Sequence, residues 1–418
     1  MARKSPVERI ESRCVIAGGG PAGVMLGYIL ARAGVDVVVL EKHKDFFRDF
    51  RGDTVHPSTL DVLDELGLLE AFLARPHEEL KSVSADIEGR MVELADFTHL
   101  STRCPFIAFM PQWDFLDLLA QAGRKLPNFR LLMQAEVTGL IEADGRVAGV
   151  VARTPKGPIE VTADLTVGAD GRSSLVREKA GLKVLNVGAP IDVLWMRVSR
   201  KPSDGGSTLG RLHRGRFMVT IDRRDYWQCA FVIRKGGIDR VKAAGLESLR
   251  QDIAIAAPVL ADRVKEIRRW DDVKLLTVTV DRLERWSRPG LICIGDAAHA
   301  MSPIGGVGIN LAIQDAVAAA NRLAGPLREG RLGQADLDAI QQRRTYPTKL
   351  IQGMQVFVQD QVLSRIIGRD REIRPPLPFR LLDAVPYLRR FPAWFIGVGP
   401  RPEHVDPALL PTSERRSA

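Results

Sequence analysis

RCVIAGGGPAGVMLGYILARAGVDVVVLE, residues 13–41, reads as strand, turn, helix, strand. RCVIA is a short apolar run rich in β-formers, and Gly18-Gly19-Gly20-Pro21 is a turn. VMLGYILARAG has apolar residues at helical spacing and ends at Gly34, where a left-handed cap is expected. VDVVVLE is the continuous apolar run of a strand buried on both faces, as in a parallel sheet. The spacing Gly18-x-Gly20-x-x-Gly23 places its glycines where a strand turns into a helix. Gly18 permits the tight turn, Gly20 lets a pyrophosphate approach the backbone, and Gly23 allows close helix–strand packing. The helix N-terminus adds unpaired N–H groups and positive potential. Glu41, at the end of the second strand, can accept both hydroxyls of a ribose and would repel a 2′-phosphate.

Outward from this βαβ unit, residues 56–74 predict a helix, 111–126 an amphipathic helix opened by Pro111, and 129–154 strands with a tight turn at Asp144-Gly145. From 183 to 285 the texture changes to antiparallel strands (IDVLWMRV, RFMVTIDRRDYWQCAFVIRKG, VKLLTVTVDRL) interrupted by a helical insert at ESLRQDIAIAAPVLADRVKEI. In YWQCAFVI, Trp227, Cys229, Phe231 and Ile233 alternate with Tyr226, Gln228, Ala230 and Val232, so they take opposite faces of a sheet. The nucleotide-binding texture returns at GLICIGDAAHA, and the last hundred residues are helical, then proline-rich.

The predicted fold class is therefore mixed α/β. A Rossmann-like nucleotide domain (1–80, 111–182 and 286–365) is interleaved with an antiparallel-sheet substrate domain (81–110 and 183–285). A helical and proline-rich segment, 366–418, follows.

Two further segments carry candidate chemistry. In DLTVGADGRSSLVREKAGL (164–182), a strand runs into Asp170-Gly171-Arg172 and a serine-capped helix. In GLICIGDAAHAMSPIGGVGINLAIQDA (290–316), a buried strand ends at Gly295-Asp296, and a loop with Pro303, Gly305, Gly306 and Gly308 feeds a helix. Along that helix Ile309, Ala312, Ile313, Ala316, Val317 and Ala320 form one core-facing stripe, so the ligand-facing part is its glycine-rich N-terminus. Asp296 can bind sugar-like hydroxyls, and the helix end beyond it can stabilise negative charge on a bound ring.

The three segments, in this order, resemble the flavoprotein monooxygenases of the para-hydroxybenzoate hydroxylase type across most of residues 12–365. The resemblance implies FAD held by Gly18, Gly20, Pro21, Ala22, Gly23, Glu41 and the adjoining Lys42. It implies that Arg51 in RGDTVHPSTLDVL and Gln112 in PQWDFLDLL are flavin-side contacts, that Asp170 serves the Asp-Gly motif, and that Asp296 holds the ribityl chain. It places backbone groups of Gly308, Ile309 and Asn310 by the isoalloxazine ring and Pro303 on the substrate side. The implied chemistry is reduction of FAD by NADH or NADPH, reaction with O2, and hydroxylation of an electron-rich aromatic ring through a flavin C4a-hydroperoxide. Substrate-gated movement of the flavin belongs to the same implication. The 183–285 sheet would roof the flavin and set selectivity, with Trp195, Arg197, Phe217, Tyr226 and Gln228 as candidate inward residues. His56 is a candidate acceptor of a phenolic proton, although a structural histidine is the plainer reading; His299 reads as a residue holding its loop.

Composition narrows the alternatives. At 418 residues, with 45% apolar and 27% charged residues, the chain has enough apolar material for two or three packed domains. Its +9 charge is dispersed and not interleaved with aromatics as in nucleic-acid binders. Cys14, Cys104, Cys229 and Cys293 lie far apart, which predicts neither a disulfide framework nor a zinc site. The polar start, ARKSPVERIESR, has no apolar signal core, and no apolar run approaches a membrane span, so a cytoplasmic location is expected; the sequence leaves monomer or homodimer open. The segment FRLLDAVPYLRRFPAWF mixes aromatics, aliphatics and arginine, a composition open to a membrane surface or a partner, although with its prolines a tail packed on the protein is the plainer reading. Rival enzymes on this scaffold are a flavin halogenase, whose Trp-x-Trp-x-Ile-Pro motif is missing, and an isoprenoid reductase. A flavin-free protein similar to the escorts of prenylated GTPases is the non-enzymatic rival.

Overall fold

A computed structural model describes residues 7–47, 54–205, 209–368, 370–375 and 377–410. The elements that position the site are β1 (Glu8–Ala17), α1 (Pro21–Arg32), β2 (Val37–Glu41), α2 (Pro57–Glu65), α3 (Gln112–Gly123), β3 (Phe129–Met133), β4 (Gly157–Gly168) and α4 (Leu175–Lys179). They continue with β5 (Ile191–Ser199), β6 (Arg216–Asp222), β7 (Tyr226–Arg234), β8 (Leu291–Cys293), α5 (Gly308–Glu329), α6 (Gln334–Val358) and α7 (Arg390–Gly397).

One sheet has the parallel order β8–β4–β1–β2–β3, with an antiparallel strand, Ser287–Arg288, beyond β8. The hairpin Glu136–Ala143/Arg146–Thr154 pairs antiparallel with the first half of β4, turning at Asp144 and Gly145, both with positive φ. The register matters most for function. Ala17 of β1 lies opposite Gly168 of β4, and Gly168 lies opposite Cys293 of β8. Three parallel strands thus end level, and the three glycine-bearing loops leave the same carboxyl edge side by side, the usual place for a ligand in an open α/β sheet. Helices α1 and α5 pack against each other on this sheet, and their buried stripes form its main apolar core. The buried positions of α5 include every residue of the stripe expected from sequence, plus Leu311, Ala318 and Ala319 on other sides.

The second sheet has the order Lys274–Leu276, β5, β7, β6, Leu209–His213, Ser82–Ile87, Arg90–Asp96. Met196, Met218, Trp227, Cys229 and Phe231 on one face pack under the helix Leu246–Ala256. The opposite face carries Val193, Trp195, Phe217, Val219, Ala230 and Val232, packed towards Ile304 of the glycine-rich loop. The C-terminal helix α7 lies along Arg90–Asp96 and buries Ala393 and Phe395.

Two local expectations change. Residues 56–74 form two helices, α2 and Leu69–Leu73, because Gly67 adopts φ +68° and turns the chain between them. VKLLTVTVDRL is not one long strand. Lys274–Leu276 stays on β5, whereas Asp281–Leu283 leaves to pair with Val184–Asn186 and to hydrogen-bond the backbone of Ala298 and Ala300. Among the described residues no helix is long and apolar enough to cross a membrane.

Candidate functional site

The first loop has the geometry its glycines require. Gly18 has φ +110°, and a Cβ there would sit 2.3 Å from the Ala169 carbonyl oxygen on the neighbouring loop. A Cβ at Gly23 would sit 2.0 Å from the Gly18 oxygen. At Gly20 a Cβ would meet nothing within 4 Å, so the backbone here faces open space at the N-terminus of α1. Pro21 and Ala22 form the first turn of α1. Gly20, the N-cap, offers no side-chain cap to the unpaired N–H groups beyond it. Glu41 is buried, one carboxylate oxygen accepting from the Gly19 N–H at 3.0 Å and the other from the His43 N–H at 3.0 Å. It therefore braces the loop from the end of β2. Lys42, next along the chain, is exposed.

Gln112 opens α3, half-buried, as expected for a residue presented at a helix head. Arg51 lies outside the described residues.

The second and third loops are tied to each other. Asp170 turns its carboxylate onto its own helix, accepting from Ser174 Oγ (2.5 Å) and the Val176 N–H (3.1 Å). Burial raises its pKa, and the hydrogen bonds from Ser174 and Val176 oppose that rise. The geometry gives Asp170 a bracing role in the loop that meets Gly18. The outward-reaching group of this segment is Arg172, whose Nε lies 3.1 Å from Asp296 Oδ2; both side chains are one-third exposed. Arg177 completes the tie by donating to the Arg172 carbonyl, to the Ala297 carbonyl (3.5 Å) and to the buried Asp281. Gly295, with φ +59°, lets the chain turn so that Asp296 stands at the end of β8.

Gly308, Ile309 and Asn310 form the first turn of α5, which has no side-chain cap and no acidic residue. The Asn310 side chain faces α2, its Oδ1 accepting from Ser58 Oγ (2.9 Å) and Thr59 Oγ1 (2.6 Å). The loop before α5 is pinned by Thr54, whose hydroxyl donates to the Gly306 carbonyl at 2.8 Å. Pro303 caps the short turn Ile304–Gly306, where the sheet face comes down.

All five sheet residues singled out from sequence share that face. Trp195 is opposite Ala230, which is opposite Val219; Arg197 is opposite Gln228, which is opposite Ile221. The face is apolar around Trp195, Phe217 and Val219 and polar at one end, where Arg197 stacks over Tyr226 (5.7 Å to the ring centroid) and Gln228 is buried.

His56 faces backbone carbonyls with both ring nitrogens. It is fully buried, with Nδ1 2.8 Å from the Ile396 carbonyl and Nε2 3.1 Å from the Gly306 carbonyl. Burial lowers its pKa to about 4, so it is neutral near pH 7 and donates one hydrogen bond. It clamps α7 to the glycine-rich loop.

Local patterns did not point to Arg172 and Arg177 as links between loops, to the contact of α7 with His56, or to a cavity of about 270 Å³ beyond Glu41, lined by Lys44, Phe47, Trp113 and Met133 among others. Their partners lie far off in sequence. Phe47 and Trp113 do form an aromatic pair there, 4.9 Å between centroids.

These features fit a dinucleotide-linked ring cofactor. The open cradle at Gly20, the uncapped N-terminus of α5, and a buried Arg172 Nη1 with no hydrogen-bond partner among the described residues all sit at one sheet edge. The comparisons with known proteins agree. Residues 11–352 match a family model described as an FAD binding domain. The 6-methylpretetramide 4-monooxygenase of Streptomyces rimosus is 33% identical over 388 residues, covering 92% of each chain. The 12-dehydrotetracycline 5-monooxygenase/anhydrotetracycline 6-monooxygenase of Streptomyces rimosus subsp. rimosus is 31% identical over 315 residues, which cover 72% of this chain but only 60% of that relative. The p-nitrophenol 4-monooxygenase PnpA of Pseudomonas putida DLL-E4 shares the fold, with a TM-score of 0.73 at 22% identity over 93% of this chain and 97% of the other. With most of its length matched in this way, the chain belongs to the FAD binding domain family, in its class A aromatic flavoprotein monooxygenase type, and is an FAD-dependent oxidoreductase.

Proposed function

We propose that this enzyme hydroxylates an electron-rich aromatic small molecule, taking electrons from NADH or NADPH and oxygen from O2. In the balanced reaction ArH, O2, NAD(P)H and H⁺ give ArOH, NAD(P)⁺ and water. The observation that carries this reading is the level ending of β1, β4 and β8, together with a second-sheet face that is apolar around Trp195 and packs with Ile304 of the glycine-rich loop. Ile304, in the glycine-rich loop before α5, packs with that face together with Leu363 and Ile367, and so joins the proposed cofactor cradle to the proposed aromatic-binding wall.

The backbone of Gly20, Ala22 and Gly23 at the N-terminus of α1 would hold the pyrophosphate. Glu41 would accept the ribose hydroxyls, with Lys42 and Gln112 at the edges of that site and Asp296 on the ribityl chain. The N–H groups of Gly308, Ile309 and Asn310 would favour negative charge on the ring edge. Bound FAD supplies acceptance of the nicotinamide's electrons and activation of O2. The chain's own residues do the rest. The wall of Trp195, Phe217, Val219 and Ala230 excludes water and orients an aromatic plane, with Pro303 on the opposite side. Arg197, Tyr226 and Gln228 receive a polar substituent at one end. Kinship with enzymes named for pretetramide and tetracycline substrates supports a polycyclic phenolic substrate.

The test is incubation of FAD-loaded enzyme with NADH or NADPH, ¹⁸O2 and a panel of polycyclic phenols. One ¹⁸O atom in the product, with matching NAD(P)H and O2 consumption, is expected. Oxygen drawn from water, or a saturated product without oxygen, would overturn the proposal.

A further inference from the structure

Behind the turn that carries Asp296 runs a chain of buried charges that the proposed chemistry does not use. Asp315, fully buried two turns into α5, accepts the Gly295 N–H at 3.0 Å and faces His299 Nε2 at 2.5 Å, both through Oδ2. Its Oδ1 accepts from Arg344 Nε at 3.0 Å, and Arg344, on α6, is almost wholly buried. Arg344 reaches on to Glu403 Oε1 at 3.2 Å, and Arg343 approaches the same oxygen at 2.7 Å. Glu403 is itself buried, and its backbone N–H donates to Gln314, the neighbour of Asp315. Burial alone would push the Asp315 carboxyl up, but His299 and Arg344 outweigh it and hold the pKa below the usual carboxylate value. Asp315 is thus a fixed anion aimed at the backbone of the Gly295–Asp296 turn. Glu403 lies beyond residue 352, where the family match ends.

We infer that the relay Glu403–Arg344–Asp315 positions the cofactor, with the C-terminal segment around Glu403 latching the turn that presents Asp296. Removing one member of a buried, hydrogen-bonded charge set leaves the others uncompensated. The perturbation then passes to the Gly295 N–H, the backbone group that Asp315 holds. Glu403 and Asp315 are positioning residues, acting through that turn. The inference rests on the reading that Asp296 holds FAD.

The experiment measures FAD dissociation constants by flavin fluorescence on full-length protein carrying Glu403→Ala, Glu403→Gln, Asp315→Asn and Asp296→Ala, and on the double variant Glu403→Ala/Asp296→Ala. Glu403→Ala should weaken FAD binding about 10-fold, and its effect should shrink to about two-fold or less once Asp296 is gone, because coupled residues are not additive. Glu403→Gln, which keeps an acceptor for Arg344, should recover most of the loss. The visible spectrum of the remaining bound FAD should shift in Glu403→Ala and return in Glu403→Gln, a readout that general destabilisation would not move. Full additivity with Asp296→Ala, or unchanged affinity in both Glu403→Ala and Asp315→Asn, overturns the relay. Should Asp315→Asn fail to fold, the two Glu403 variants decide. Unchanged affinity in Asp296→Ala itself overturns the site reading, a different outcome from failure of the relay alone.

Discussion

Replacing Gly20 with Ala should uncouple cofactor binding from folding, and Gly23→Ala should not. Gly20 has φ −76° and ψ −177°, which alanine adopts without strain, and its Cβ would enter open space. Losing glycine at a helix N-cap costs about 0.5–1 kcal/mol. The stiffer unfolded chain returns about 0.4–1 kcal/mol. The apoprotein should therefore keep its thermal midpoint within about 2 °C. In the proposed site, the same methyl would stand where the pyrophosphate approaches the first N–H groups of α1. Each charge-assisted hydrogen bond lost there is worth about 1.5–3 kcal/mol, or about 10- to 100-fold in affinity. At Gly23 the added Cβ lies 2.0 Å from the Gly18 oxygen and 3.2 Å from Ile16, so α1 must shift off β1. Such overpacking costs about 1–3 kcal/mol or more before any ligand is present. Differential scanning fluorimetry of the apoproteins, paired with FAD titration, separates the two. FAD affinity in Gly20→Ala within about two-fold of wild type would refute the placement of the pyrophosphate, because even one lost bond exceeds that.

Other outcomes follow from the same geometry. Asp296→Ala should lose FAD on desalting while keeping its circular dichroism spectrum; wild-type retention would remove Asp296 from the site. His56 has a folded pKa of about 4 against 6.5 when unfolded, so the unfolded chain takes up the proton first as pH falls. Its contribution of about 3 kcal/mol is present above pH 6.5 and lost as pH drops towards 4, and urea denaturation of His56→Asn should show a flatter pH dependence across that window. In the same variant the pH profile of turnover should keep its shape, because both His56 nitrogens face backbone carbonyls. A vanished limb of that profile would restore His56 as a proton acceptor. Trp195→Ala should raise KM for the aromatic substrate about 10-fold or more, from loss of buried aromatic contact, with FAD affinity unchanged.

The parts of the fold legible in sequence are those whose cause is local. A glycine that must turn, a strand buried on both faces and an alternating sheet strand are each written in neighbouring residues, and the first βαβ unit and both faces of β7 follow from them. Gly67 was equally local, yet the apolar spacing of 56–74 continues through it, and periodicity hid the break between α2 and the next helix. The departure of Asp281–Leu283 from the second sheet had no local mark, since its cause is pairing with Val184–Asn186 and the Ala298–Ala300 backbone. Conversely, the shared face of Trp195, Phe217 and Gln228 could be read only up to strand phase, because a slip of one residue exchanges the two faces of a strand.

The cofactor site divides along the same line. Gly23 answers to the Gly18 carbonyl five positions back, a constraint the spacing states by itself, whereas Gly18 answers also to Ala169 on the neighbouring loop. Asp296 is different. By itself it is a carboxylate after a strand, and it acquires a direction only because Arg172 approaches from the second loop, Arg177 bonds the Ala297 carbonyl, and Asp315 holds the Gly295 N–H from behind. Two of those contacts join segments more than a hundred residues apart, and the third comes from the next helix. A turn held on both sides cannot relax around a missing ligand contact, so the geometry at Asp296 is set before any cofactor arrives. Preorganisation of this kind lowers the ordering cost of binding, which is how the relay inferred above would let Glu403 matter to cofactor affinity.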